Sequence, residues 1–265
     1  MAPKQQPDQM PFLDHLEELR FRLAWMLGAL TVGVMVSFWA VLEFNVILLL
    51  QRPIIPYLAG ERLIVTNPGD GFSVLISTSL IFGVVLALPV LVYHIWAFLS
   101  PGLYSHEKRL MIPVLAGATL LFLAGVSLSF FVVLPLTLRF LMEVTADAFS
   151  PMITASGYFG FAISMSLAFG LVFELPIVVV ALTALGIVTP QMLVRVRRFA
   201  FVGCLVVSAF VTPGSDILSL CAMAVPLYFL YELSLVLSFF VHRRQLRRRA
   251  AEAAEAAEQN IGVPA

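Results

Sequence analysis

A short charged segment next to the first apolar run holds residues that can bind a cationic ligand. Residues 12–23 read FLDHLEELRFRL and contain three carboxylates and two arginines. Glu18 and Arg22 stand four residues apart, so on a helix they can pair with each other. A surface pair of this kind stabilises a protein by less than about 1 kcal/mol, which leaves the carboxylate open to exchange. The acidic excess beside a membrane segment predicts a cationic partner.

A second polar group follows the second apolar run. Residues 96–109 read WAFLSPGLYSHEKR, in which Pro-Gly indicates a turn. Its His-Glu pair begins like a zinc-protease motif, but Leu110 stands where the second histidine is required, so no zinc site is predicted. Glu107 is then a second carboxylate on the membrane face predicted for Glu18. Two carboxylates can bind two guanidinium groups, each contact contributing about 1.5–3 kcal/mol. Lysine lacks the planar fork of arginine, so it would not reproduce these contacts.

A third acidic residue, Glu174, lies deep in an apolar run that reads FGLVFELP over residues 169–176. A carboxylate at such a depth costs about 3 kcal/mol on insertion scales and faces the interior of a helix bundle or a water-filled cavity. The functional interpretation of Glu174 is therefore favoured over a purely structural one.

The elements that position these residues are predicted from composition. The chain has 265 residues, of which 60% are hydrophobic and 12% are charged, about half the charge of a soluble domain. We therefore predict an all-α polytopic membrane protein with six transmembrane helices in a concave bundle. The six apolar segments are 23–47, 72–99, 110–134, 158–186, 199–212 and 217–240.

Local features refine this plan. The fifth segment is predicted to be short, since its fourteen residues of helix reach only about 21 Å. The sixth is equally short if Glu232 ends its apolar run, and the alternative is that both helices extend a turn beyond these bounds. Residues 135–157 are predicted to form a polar loop outside the bilayer. Small residues at four-residue spacing are predicted to form close helix contacts, namely Gly83 with Ala87 and Ser166 with Gly170. Four prolines are predicted to kink the spans, namely Pro89, Pro113, Pro176 and Pro226.

Charge distribution predicts the orientation. Thirteen of the sixteen lysines and arginines fall in the two termini and in the loops after the second and fourth segments. The positive-inside rule then places both termini in the cytoplasm. Residues 1–242 are predicted to form the membrane domain, and 243–265 an Arg-rich and Ala/Glu-rich cytoplasmic tail that is either a fraying helix or disordered. No strongly basic domain indicates nucleic acid.

The same residues exclude several functions. The only lysines are Lys4 and Lys108, and neither belongs to a P-loop. Work by this protein would then draw on a membrane potential, a proton gradient or a partner. No nucleophile elbow occurs, so an enzyme such as an intramembrane protease is disfavoured, and no cofactor or metal is predicted. A proton-coupled secondary transporter, suggested by Glu174 and the prolines, is the alternative that stays open.

Several separated motifs resemble one family in the right order. Residues 12–23 are similar to the HLxELRxRL opening of the C subunit of the twin-arginine protein translocase. The resemblance continues through WAF and PGLY to EKR in residues 96–109, then through FG and FELP in residues 169–176. It extends to Thr212-Pro213 and Pro226 and covers about residues 10–242.

This resemblance implies a glove-shaped bundle of six helices in the cytoplasmic (inner) membrane that recognises folded cargo through signal peptides with paired arginines. Its energy source would be the proton-motive force. The implied partners are the single-helix A and B subunits, and self-association in a receptor complex is expected. By position, the implied signal-peptide residues are Glu18, Glu107, Arg20, Arg22 and Phe98. Glu174 is the implied intramembrane acid, and the implied assembly and partner contacts are Pro53, Thr212 and Asp216.

Overall fold

The computed structural model describes residues 12–58, 60–99, 111–145, 152–211 and 217–261, and the regular elements in these ranges are helices with one isolated β-bridge. The helices are α1 (Phe12–Glu43), α2 (Val46–Leu50), α3 (Asp70–Leu99), α4 (Met111–Leu128), α5 (Leu134–Thr145), α6 (Ala155–Phe173), α7 (Leu175–Ala184), α8 (Pro190–Val211) and α9 (Ile217–Ile261). The predicted all-α membrane fold is confirmed.

Five helical stretches in the described part are long and apolar enough to cross a bilayer. They are Leu16–Glu43, Asp70–Phe98, Leu115–Glu143, Ala155–Ala184 and Leu220–Arg244. The predicted fifth segment lies in α8, which is not among them because it carries three arginines near its start. The sixth candidate stretch has 25 residues, so the alternative of a longer sixth helix is the one that the structure supports.

The chain divides into two compact units. The first comprises the residues up to Thr119 together with Met152–Ile163, and the second comprises Leu120–Pro151 together with the residues from Ser164 onward. In the first unit, α1 and α3 cross at two glycines. A Cβ on Gly83 would stand 2.8 Å from the backbone of Val34, and one on Gly33 would stand 2.7 Å from the Gly83 carbonyl oxygen. Only glycine allows this approach.

The segment between α2 and α3 is tied to the start of α6. The Tyr158 hydroxyl donates a 2.6 Å hydrogen bond to the Leu50 carbonyl. Ile64 forms an isolated parallel β-bridge with Thr154, and the Ala155 amide donates to the Ile64 carbonyl at 2.8 Å. These bonds satisfy backbone groups that would otherwise be buried without partners.

In the second unit, α9 packs against both α7 and α8. The Thr183 and Ser238 hydroxyls share a buried 2.8 Å hydrogen bond between α7 and α9. Gly170 is buried, and a Cβ there would stand 2.7 Å from the ring of Phe122. The close contacts predicted at Gly83 and Gly170 are therefore confirmed.

The region predicted as a polar loop from residue 135 is helical as far as Thr145, so that part of the prediction was wrong. A π-helical turn, Ser129–Val133, precedes α5. It lies just before Pro135, which has no amide hydrogen to continue the α-helical ladder. Leu134 and Leu138 are buried, which explains why the helix persists. Pro89 and Pro226 lie inside continuous helices, and α9 continues through the arginine-rich tail to Ile261.

Candidate functional site

The first turns of α1 form one side of an open depression of about 650 Å³. We call it the acidic depression, and its described lining residues are Glu17, Glu18, Arg20, Phe21 and Ala24. Carboxylates, a guanidinium and an aromatic ring therefore meet at one opening, an arrangement suited to a cationic ligand that also has an apolar part.

Glu18 and Arg22 form the ion pair that their spacing predicts. Arg22 donates from Nε to Glu18 Oε1 at 2.9 Å, and its Nη2 donates to the same oxygen. The two side chains keep 24% and 20% of their surface accessible. The pair is part-buried and lies within one helix, where an ion pair between positions i and i+4 typically contributes about 0.2–0.5 kcal/mol.

Aromatic rings connect the acidic depression to the end of α3. Phe21 contacts Trp25 edge to face, with ring centroids 6.2 Å apart. Trp25 stacks on His94 with centroids 6.5 Å apart and planes 9° from parallel. Such ring pairs add about 0.5–1.5 kcal/mol beyond the area they bury. They fix the start of α1 against the turn of α3 that precedes Phe98.

The other predicted signal-peptide residues take different places. Arg20 is exposed and lines the acidic depression. Phe98 is half-buried on the last turns of α3, close in sequence to the buried Trp96. Glu107 lies outside the described residues, so the approach of Glu107 to Glu18 stays a prediction. Thr212 and Asp216 also lie outside them.

Pro53 lies in the turn between α2 and a short 3₁₀ helix, Ile55–Tyr57. It is half-buried, and the next residue, Ile54, is completely buried. The structure therefore places Pro53 at a rigid corner of the first unit, beside the Leu50 carbonyl that accepts from Tyr158.

Glu174 stands at a break between two helices of one candidate span. The residue separates α6 from α7, and Pro176 follows inside the first turn of α7. Its carboxylate oxygen Oε1 is buried and has no hydrogen-bond partner among the described residues. The kink predicted at Pro176 is present. A buried acceptor without a partner in an apolar setting is costly, which favours a functional role.

Sequence analysis did not select Glu17 and Phe21, although both line the acidic depression. The signal was available, because Glu17, Phe21 and Ala24 recur at helical spacing and so share one face of α1. The stacking of Trp25 on His94 joins two helices that are far apart in sequence. The spacing of residues within either helix does not predict this contact.

Comparison with known proteins identifies the family of the chain. The profile of the family described as Sec-independent protein translocase protein (TatC) matches residues 14–226. A relative of that name from Koribacter versatilis is 37% identical over 256 residues, which cover 94% of this chain and 92% of the relative. One from Aquifex aeolicus is 37% identical, with 89% of this chain and 98% of the relative covered. A crystal structure described as the twin arginine translocase receptor TatC has a TM-score of 0.73 and 37% identity, and it matches 86% of this chain and 99% of that one.

Proposed function

Because this chain belongs to the TatC family of Sec-independent protein translocase proteins, we propose that it is the receptor subunit of a twin-arginine translocase. Membership of a transport family fits a protein of several apolar membrane helices rather than an enzyme. The observation that carries the proposal on this chain is the acidic depression, where Glu18 is accessible beside Glu17 and Phe21.

In the proposed binding step, the two arginines of a signal peptide bind Glu18 and Glu107. The first guanidinium displaces Arg22 from Glu18, and Arg22 turns to solvent. Arg20 and Phe98 shape or support the site, Arg20 as an exposed lining residue of the depression and Phe98 on the last turns of α3. Guanidinium is preferred to ammonium because a planar fork binds a carboxylate with two parallel hydrogen bonds.

The proposed complex lies in the cytoplasmic membrane with both termini in the cytoplasm. Its partners are single-helix A and B subunits that dock near Thr212 and Asp216, and several copies of the chain associate with Pro53 at the assembly contact. The proton-motive force drives transport of folded cargo. Glu174 serves as the intramembrane polar group, since its position at the helix break leaves Oε1 without a partner among the described residues.

Photo-crosslinking to a labelled signal peptide tests this function. A peptide with Arg-Arg should crosslink to the wild-type protein, and the same peptide with Lys-Lys should crosslink far less. The double variant E18A/E107A should lose the Arg-Arg product, because two charge-assisted contacts of about 1.5–3 kcal/mol each disappear. Membrane insertion should be unchanged.

The matched control is E43A/E61A, which removes two exposed carboxylates away from the acidic depression. It changes the net charge by the same amount and should keep the crosslink. Full crosslinking in E18A/E107A, or equal loss in the control, would contradict a specific role for the two acids.

A further inference from the structure

An open cleft of about 610 Å³ lies along α8 and α9 in the second unit. We call it the arginine cleft, and its described lining residues are Val194, Arg195, Arg197, Arg198, Phe201 and Tyr228. Three guanidinium groups and two aromatic rings therefore border one opening, and the translocase function proposed above makes no use of it.

One of the three arginines is neutralised within the protein. Arg197 Nε donates to Glu232 Oε1 at 2.5 Å, an ion pair that links α8 to α9. The bond to Glu232 is the main reason why the pKa of Arg197 is raised. Arg197 is thus fixed in position and joins α8 to α9.

The other two arginines keep their charge uncompensated within the described residues. Arg195 is exposed and has no ion pair there, and Arg198 lies over the ring of Phe199 at 4.8 Å. A cation over an aromatic face is oriented but not neutralised. The cleft therefore has an excess of two positive charges, and the two guanidinium groups that carry them are accessible.

The depth of the arginines indicates the kind of anion that reaches them. With α8 inserted as the predicted fifth segment, the thirteen positions from Arg198 to Val211 would cover about 20 Å of a hydrocarbon core of about 30 Å. Arginines at such a level must be matched by polar groups drawn toward them. Lipid phosphate groups are available at that level on the face that the arginine distribution predicts to be cytoplasmic.

The surroundings of the cleft favour a lipid over a dissolved anion. Phe201 and Val194 line it and are exposed, and Phe229 on α9 is exposed as well. Acyl chains can cover these side chains, whereas inorganic phosphate would leave them uncovered. Phe201 and Tyr228 contact each other edge to face with centroids 5.6 Å apart, so the apolar side of the cleft is preformed.

We propose that the arginine cleft binds the phosphate of an anionic phospholipid, with Arg195 and Arg198 as ligands and Arg197 as the group that positions α8 against α9. Guanidinium groups bind phosphate oxygens through paired hydrogen bonds, and basic pockets between membrane helices suit anionic headgroups. The acyl chains lie along Phe201 and the exposed face of α9.

Native mass spectrometry of the purified full-length protein tests the proposal. The protein is titrated with phosphatidylglycerol and, separately, with phosphatidylcholine. Wild type should retain phosphatidylglycerol preferentially. R195Q/R198Q should lose that preference by about tenfold or more, because both guanidinium contacts are removed. R243Q/R244Q, which removes two exposed arginines outside the cleft, should change it by less than about twofold.

The outcomes are separable. Equal retention of the two lipids by wild type, or equal loss of preference in the two variants, would overturn the proposal, because binding would then be absent or would reflect general basicity. Displacement of the lipid by inorganic phosphate at millimolar concentration would assign the cleft to a dissolved anion and overturn the proposal of a lipid ligand.

If R195Q/R198Q fails to elute as a single folded species, R195K/R198K replaces it. That variant keeps the charge but loses the fork, so retention equal to wild type would count against the guanidinium ligands.

Discussion

The acidic depression on α1 and the arginine cleft on α8 and α9 are two charged surfaces of opposite sign. They differ in where the partner of the central charged side chain lies in the sequence. In the depression, Glu18 is paired with Arg22, one helical turn away on the same helix. In the cleft, the internal partner of Arg197 is Glu232, thirty-five positions away on another helix. An ion pair within one helix can form as soon as that helix forms. An ion pair between two helices can form only when the helices pack together. The first kind of site can be predicted from local spacing and the second cannot.

The arginines of the cleft also show that one side chain can have two roles. Arginines in a loop between apolar segments indicate membrane orientation under the positive-inside rule. The structure gives Arg197 a second role as a link between two helices. One arginine can therefore indicate membrane orientation in the sequence and also link two helices in the structure.

The largest expected effect is a separation of the two binding activities. E18A/E107A should abolish crosslinking to the paired-arginine peptide and keep the preference for phosphatidylglycerol. R195Q/R198Q should do the reverse. Two charge-assisted contacts are worth about 3–6 kcal/mol, a hundredfold or more in affinity. Running both assays on both variants checks this. Loss of both activities in either variant would mean that the two regions are not independent.

A smaller effect is expected from G83V, which disrupts the crossing of α1 and α3 that supports the acidic depression. The new side chain would meet the Val34 backbone at 2.8 Å, so overpacking should cost about 3 kcal/mol. Unfolding of the detergent-solubilised protein, followed by circular dichroism, measures the loss. G28A is the control, because a Cβ on Gly28 meets nothing within 4 Å. Equal stability of G83V and G28A would refute the close crossing.

Two tyrosines offer a matched pair, one in each unit. The Tyr231 hydroxyl donates to the Leu193 carbonyl beside the cleft, and Tyr158 donates to the Leu50 carbonyl in the first unit, both at 2.6 Å. Each change to phenylalanine should cost about 1 kcal/mol of stability. Only Y231F should also weaken phosphatidylglycerol retention, since Tyr231 holds α8 against α9. The same mass-spectrometric titration distinguishes them, and equal weakening by Y158F would contradict this account.

The smallest effect is expected from R22A. It removes the pair within α1, so the free energy of unfolding should fall by about 0.5 kcal/mol or less. Peptide crosslinking should be kept, because Arg22 is the group that the peptide displaces. R197A is the comparison, because it breaks the ion pair between α8 and α9 and should therefore destabilise the protein more than R22A does. If R22A destabilises the protein as much as R197A does, the distinction between local and distant pairing fails.

Much of this architecture could be predicted from the sequence because the signals are local. Apolar runs gave the all-helical membrane fold, and spacing gave the Glu18–Arg22 pair and the glycine contact at Gly83. The end of the third span was misplaced because Arg139 and Glu143 look polar in isolation. On α5 they stand four residues apart and pair at 2.8 Å on its exposed face, while Leu134 and Leu138 are buried on the same helix and explain why it continues.

The rest depends on contacts that no local pattern contains. The stacking of Trp25 on His94 joins residues separated by most of α1 and α3. The Ile64–Thr154 bridge joins segments ninety positions apart. Such contacts are decided by how whole helices pack, and a single sequence carries little information about that choice.

The pairing of α8 with α9 also bears on the order of events during biosynthesis. α8 leaves the ribosome first, yet its apolar part from Phe199 to Val211 reaches only about 20 Å and its start carries three arginines. The carboxylate that neutralises one of them, Glu232, is translated later. In a variant without the free cysteines Cys204 and Cys221, we therefore expect a released chain that ends at residue 216 to leave α8 at the bilayer surface. A chain that continues through α9 should draw α8 in. Accessibility of a cysteine placed at Val207 to a water-soluble reagent would follow the step, and protection in the shorter chain would show that α8 inserts unaided.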